Sequence, residues 1–211
     1  MDTRLQLLTN WVRQFPGFEQ SEAEPVSGDA SFRRYFRVWQ HAGQAKTNGG
    51  DVPFIVMDAP PEHEDCEPFV AIARHWHQQG IAVPEIVQAD LEQGFLLLED
   101  FGDRLMLGQL NEKSADRLYR NALEELTLIA RQPSPEAYPL PPYDATLLER
   151  EMALFPDWLL EQHLGMQLEN SERALLDTTF SMLRDSALAQ PEVTVHRDYH
   201  SRNLLVRPGT T

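Results

Sequence analysis

The sequence predicts an α+β fold in two lobes, a small β-rich front and a helical rear. Three observations carry this expectation. Short apolar stretches with two-residue alternation crowd the first hundred residues, three apolar stripes at helical spacing follow Ser114, and the pattern changes across the connector Glu99 to Asp103. The expected boundary leaves residues 1–100 in an N-terminal lobe and residues 101–211 in a C-terminal lobe. A cleft between two such lobes is a common place for a ligand.

The elements follow in order. Leu5, Leu8, Trp11, Val12 and Phe15 fall at helical spacing, so the first segment reads as an amphipathic helix lying on the body of the protein. Ser27 to Ala30 forms a turn, and the alternation of Phe32, Tyr35, Phe36, Val38 and Trp39 makes the strand it enters. Gln44 to Asp51 reads as an exposed hairpin loop leading to a second strand at Phe54 to Met57, stopped by Pro60 and Pro61. Phe69, Val70, Ile72, Ala73 and Trp76, with Gly80 as a C-cap, predict a helix from about Asp65 to Gln79. Glu85 to Ala89 and Phe95 to Leu98 flank a polar turn and should pair as another hairpin.

Behind the connector, the stripes are Leu118, Ala122, Leu126 and Ile129, then Leu147, Leu148, Met152 and Phe155, then Leu175, Leu176, Phe180 and Leu183. Pro133 to Pro142 separates the first two. Phe155 and Trp158 are expected in the core or at an interface.

Composition excludes several classes. An apolar fraction of 42% over 211 residues can fill a core, which sets aside a disordered or fibrous chain. With 18 basic against 33 acidic residues the formal charge is −15, which opposes the phosphate backbone a nucleic-acid binder must neutralise. The single cysteine, Cys66, cannot close an internal disulfide, and a reducing cytoplasm fits it best. No apolar run approaches the roughly 20 residues that cross a bilayer, and the first segment is not a signal peptide.

The most informative stretch is Val193 to Val206, which contains His196, Asp198 and Asn203 in the form H-x-D-x-x-x-x-N, between β-branched residues and an apolar strand. Phosphoryl transfer requires a group that orients an acceptor hydroxyl and takes its proton late, and another that holds magnesium against the phosphates. Asp198 suits the first task and the amide oxygen of Asn203 the second, with His196 bracing the loop from behind. A second reading uses the same residues. On an extended segment His196, Asp198 and His200 share one face and could bind zinc, as in a metallohydrolase. His75 and His77 would point about 200° apart on a helix and do not make a metal pair.

With these residues in place, the chain resembles the aminoglycoside phosphotransferase family, whose catalytic loop has the same His, Asp and Asn pattern. The likeness extends to Ser27-Gly28-Asp29-Ala30-Ser31-Phe32-Arg33-Arg34-Tyr35-Phe36-Arg37, to Phe54 to Pro61, to Gly94 to Asp100 and to Leu154 to Trp158. These segments are most similar to the bacterial branch of that family acting on the amino sugars N-acetylmuramate and N-acetylglucosamine at the anomeric hydroxyl.

The resemblance implies a bilobal protein-kinase-like fold that uses ATP and Mg2+. It implies that Asp198 is the catalytic base, that Asn203 binds magnesium, and that the backbone of Leu98, Glu99, Asp100 and Phe101 meets adenine. The turn Ser27, Gly28, Asp29, Ala30 and Ser31 would cover the phosphates, with Arg33 or Arg34 as nearby positive charge. Glu149, Glu151 and Asp157 are placed by position alone as candidates for the acceptor pocket.

Two departures qualify these expectations. The third strand of kinase-like folds carries a lysine paired with a glutamate on the next helix, but Phe54 to Asp58 has none, leaving Arg33 and Arg34 to supply charge and Glu64 or Glu67 without that role. Leu204 to Val206 reads as a strand and Pro208-Gly209 as a turn, yet no return strand follows, so the C-terminal lobe is expected to be incomplete and its last strand unpaired. Family members carry an aspartate for magnesium on that return strand. A kinase for an aminoglycoside or choline-like acceptor, or a nucleotide-binding pseudokinase without turnover, stays open.

Overall fold

The computed structural model describes residues 2–28, 32–41 and 50–207. It divides into two compact units, Met1–Pro139 with Thr194–Thr211, and Leu140–Val193. This division follows contacts and does not coincide with a boundary after residue 100.

The first unit is built on a five-stranded sheet in the order β1-β2-β3-β5-β4, with antiparallel neighbours throughout. The strands are β1 (Glu24–Gly28), β2 (Arg34–Gln40), β3 (Val52–Asp58), β4 (Ile86–Asp90) and β5 (Phe95–Glu99). Both expected hairpins are present. Two-residue alternation sorts side chains between the faces. Phe36, Val38, Val56, Phe95 and Leu97 pack beneath helix α1 (Thr3–Val12), meeting its Leu8, Trp11 and Val12. Met57, Leu96 and Leu98 point the other way, to Cys66 and to Val70 of helix α2 (Glu67–Gln78). Because β5 is covered on both faces, it reads as an unbroken apolar run.

Asp2 caps α1 by accepting from the Leu5 N–H at 3.0 Å. Helix α1 is thereby fixed at its start, and Arg4 on its first turn reaches Asp58 at 2.6 Å. At the β4–β5 turn, Gly94 has φ +71°, and a Cβ there would lie 1.9 Å from the Ala59 carbonyl oxygen. The Ala59 N–H donates to the Gly94 carbonyl at 2.9 Å, so the close approach is part of the sheet's fastening.

After β5 come the short helix α3 (Met106–Gln109) and helix α4 (Ala115–Ala130), which buries Leu118 and Ile129 of its predicted stripe. The apolar segment Leu204 to Val206 is not left unpaired. Met106 donates to the Leu204 carbonyl and Val206 to the Arg104 carbonyl, both at 2.8 Å, around an antiparallel bridge between Leu105 and Leu205. Leu204 to Val206 therefore has a backbone partner in Arg104 to Met106. Val193 to Val195 forms no strand; Thr194 is fastened through its hydroxyl to the Gln132 carbonyl at 2.7 Å.

The second unit contains α5 (Ala145–Leu154), a π-helical segment at Phe155–His163, and α6 (Asn170–Leu188). Pro156 has no N–H to continue the α pattern, and the wider spacing persists to a bond from the Leu164 N–H to the Leu159 carbonyl at 3.0 Å. Phe155 and Trp158, expected in the core or at an interface, are not core residues: Trp158 is 66% exposed and Phe155 is exposed as well. Leu175 and Leu183 of the third stripe are likewise exposed.

Candidate active site

One turn brings Asp198, His200 and Asn203 together. Asn203 Nδ2 donates to Asp198 Oδ2 at 2.6 Å and to the Asp198 backbone carbonyl at 3.1 Å. His200 Nε2 lies 3.0 Å from Asp198 Oδ1. The Arg202 backbone N–H donates to His200 Nδ1 at 3.2 Å, so Nδ1 is the acceptor and Nε2 carries the proton facing Asp198. Both carboxylate oxygens are therefore oriented by donors, while the Asp198 side chain remains 71% exposed and open to an acceptor.

Backbone geometry tightens the loop. Arg197 holds a left-handed φ of +71°, a conformation that costs a non-glycine residue energy and must be held by its surroundings. The Asn203 N–H closes a turn on the His200 carbonyl at 2.9 Å, and the Leu107 N–H ties the Ser201 carbonyl to helix α3 at 3.0 Å.

His196 is placed behind the loop. Its ring stacks at 6.1 Å on Trp76 of α2 and meets Tyr199 edge-on at 5.2 Å. Burial pushes its pKa below 6.5, and its Nδ1 is buried without a hydrogen-bond partner. Tyr199 anchors the other side by donating to the Ala122 carbonyl of α4 at 2.7 Å. Among the described residues no group of three His, Cys, Asp or Glu side chains is arranged to hold a metal ion, so the zinc arrangement of His196, Asp198 and His200 gains no support. Asn203, whose amide nitrogen is spent on Asp198, keeps its carbonyl oxygen as one ligand suited to magnesium.

A cleft of about 480 Å³ lies against the connector, lined by Arg37, Trp39, Pro53, Arg207 and the run Glu99 to Asp103. It includes Glu99, Asp100 and Phe101 of the expected adenine-binding stretch. Leu98 is instead buried under α2, and Asp198 and Asn203 are not among the cleft's walls. Arg37 had not been singled out from the sequence, yet it pairs with both Asp100 and Asp103.

The two arginines expected near the phosphates already have carboxylate partners. Arg34 Nε donates to Asp58 Oδ2 at 3.0 Å and its Nη1 pairs with Asp2, while Asp58 is wholly buried. Arg33 Nε pairs with Glu64 at 3.0 Å, so Glu64 does meet a cation, though not a lysine on the third strand. Ser27 and Gly28 form the end of β1, paired with Tyr35 and Arg34. Asp29, Ala30 and Ser31 lie outside the described residues.

In the second unit a cleft of about 630 Å³ is lined by Glu149 and Asp157 together with Arg173, Asp177 and Arg184. Arg184 bridges Glu149 at 2.7 Å and Asp185 at 2.9 Å. Glu151 is not in that cleft; it accepts from the Tyr143 hydroxyl. Arg173 and Arg184, which line this cleft, had not been singled out from the sequence, because charged residues on an amphipathic helix usually face solvent.

An antiparallel sheet feeding a short connector, which in turn pairs with the end of a His-Asp-Asn loop, is an arrangement suited to moving a phosphoryl group. Residues 22–211 match the phosphotransferase enzyme family, and the chain belongs to it. Three relatives carry the name N-acetylmuramate/N-acetylglucosamine kinase. The Pseudomonas aeruginosa protein is 48% identical over 186 residues, 88% of this chain and 52% of the relative. The Pseudomonas putida protein is 42% identical over 214 residues, covering 97% and 60%, and the Neisseria meningitidis protein 31% over 207 residues, covering 96% and 59%. The chain thus spans between about half and three fifths of the length of the curated relatives it matches.

Proposed function

We propose that this chain carries the nucleotide-binding and catalytic-loop portion of an ATP-dependent kinase that phosphorylates the anomeric hydroxyl of N-acetylmuramate or N-acetylglucosamine. The observation that carries the reading is the shared geometry of Asp198 and Asn203, one presenting an exposed carboxylate and the other an amide oxygen from the same turn. The likeness to three amino-sugar kinases supports the acceptor.

In this reading the anomeric oxygen attacks the γ-phosphorus, the bond to the β-phosphate oxygen breaks, and ADP leaves. Asp198 orients the hydroxyl and accepts its proton; Asn203 and His200 hold the carboxylate in place. Asn203 would supply one oxygen to a magnesium ion, which would offset the charge of the phosphates. Connector backbone at Glu99 to Phe101 meets the base, so the functional boundary between a nucleotide lobe and a catalytic lobe falls there. The backbone of Ser27 and Gly28, at the end of β1, would lie by the phosphates. Glu149 and Asp157, beside Arg173 and Arg184, are the candidates for acceptor recognition, and the arginines suit the carboxylate of N-acetylmuramate. A cytoplasmic site of action fits the lone cysteine; among the described residues no helix is long and apolar enough to cross a membrane.

A second reading has its own support. The formal charge of −15, with Glu149, Asp157 and Asp177 in the same cleft, favours a cationic acceptor such as an aminoglycoside or a choline-like amine. ATP consumption by the full-length protein against a panel of sugars and amines decides between them. Turnover is expected with N-acetylated sugars, and Asp198→Ala should lower kcat by about 10²-fold or more, the scale of a lost general base. Turnover confined to amines would move the assignment to the second reading, and nucleotide binding without turnover on any acceptor would make the protein a pseudokinase.

A further inference from the structure

One arginine of the sheet reaches into the connector that separates β5 from α3, and its bonding pattern is more specific than an ordinary ion pair. Arg37, on β2, donates through Nε to Asp100 Oδ2 at 2.6 Å and through Nη2 to Asp100 Oδ1 at 3.4 Å. The same guanidinium donates to Asp103 through Nη1 at 3.0 Å and Nη2 at 2.7 Å. The Asp100 carboxylate is only 3% exposed and also accepts from the Gly102 N–H at 2.7 Å. A carboxylate that buried needs a partner, and Arg37 provides a planar one.

The connector has no regular structure of its own. Gly102 sits at φ +79°, and Asp100 and Asp103 are three positions apart, so a single rigid fork that engages both sets the curvature of the loop between them. From the other direction, Arg207 lies 4.4 Å over the Phe101 ring and 3.5 Å from Glu99. Both arginines line the cleft against the connector. Recognition of a base by backbone N–H and C=O groups depends on where the loop is held, because no side chain there makes the contact.

We propose that Arg37 is a positioning residue of the nucleotide site: by gripping Asp100 and Asp103 together it holds the Glu99–Phe101 backbone in the geometry that receives the base of the nucleotide. The inference rests on the kinase reading above and adds to it a residue whose role is exerted through the connector rather than on the phosphates. Lysine substitutes poorly, since an ammonium concentrates three donors on one nitrogen and cannot reproduce the four bonds that the planar guanidinium makes to the two carboxylates.

The test is calorimetric titration of the full-length protein with ATP and with ADP, alongside steady-state kinetics. Arg37→Lys should weaken ATP and ADP by the same factor, about tenfold or more, the scale of one lost charge-assisted bond. The acceptor KM at saturating ATP should stay unchanged, a split that a general loss of stability would not produce. Asp103→Asn, at an exposed position, should reproduce the effect in weaker form and keeps the test open if Arg37→Lys does not fold. Unaltered nucleotide affinity in both Arg37→Lys and Asp103→Asn overturns the proposal. A wild-type protein that binds neither nucleotide overturns the kinase reading itself and the proposal with it.

Discussion

At the scale of single residues, His196 joins a sequence motif to a physical consequence. Its ring is held between Trp76 and Tyr199, and burial is the largest cause of its lowered pKa, with Asp198 opposing and His200 adding to the shift. A depressed value means that the folded protein binds fewer protons than the unfolded chain between the folded pKa and the ordinary 6.5. Stability owed to the neutral ring is complete above 6.5 and drains away as pH falls through the folded value. His196→Phe keeps an aromatic plane against Trp76 and removes the titration. The melting temperature of the wild type should therefore fall more steeply than that of the variant as pH is lowered from neutral into this window. Parallel curves would mean that the imidazole does not report on folding. The imidazole packs beside the Trp76 indole, while Asp198 and Asn203 a few positions on remain exposed.

At the scale of elements, what could be read from sequence was what local pattern encodes. Short apolar runs bounded by turn residues marked both hairpins, and the helical spacing of Phe69 to Trp76 marked α2. The turn that joins Asp198 and Asn203 was legible for a related reason, since the two are close enough in the chain for one turn to bring them together. Arg37 was not legible: its partners are 63 and 66 positions away, and a charge pair over that separation leaves no period. The pairing of Leu204 to Val206 with the connector was hidden for the same cause. Gly94 tests how far one position governs an element. An alanine there must hold a left-handed backbone and place its Cβ against the Ala59 carbonyl, which no side-chain movement relieves. Gly94→Ala should cost on the order of 2 kcal/mol or more of unfolding free energy, read from urea denaturation, whereas Gly80→Ala, with open space at its Cβ and the same sign of φ, should cost less. Equal losses would show that backbone conformation alone sets the cost.

At the scale of the whole molecule, stability is unevenly distributed. The sheet unit buries Leu8, Val12, Val56, Met57, Phe95, Leu96 and Leu97 completely, on two faces under two helices. In the unit Leu140–Val193, α5, the π-helical segment and α6 bury no residue, and Leu154, Trp158, Leu175, Met182 and Leu183 are exposed. Helices short of tertiary burial depend on capping and side-chain pairs, here the Glu169–Glu172 capping box and the solvent-screened Arg184–Glu149 pair, and such interactions are individually weak. Opening of that unit should then be cheap compared with opening of the sheet. Hydrogen exchange on the 211-residue chain should find the amides of β2, β3 and β5 protected longest and those of α5 and α6 exchanging faster by orders of magnitude. Exchange of α6 as slow as that of β5 would overturn this ordering and require stabilising contacts beyond the cap and ion pairs described for that helix.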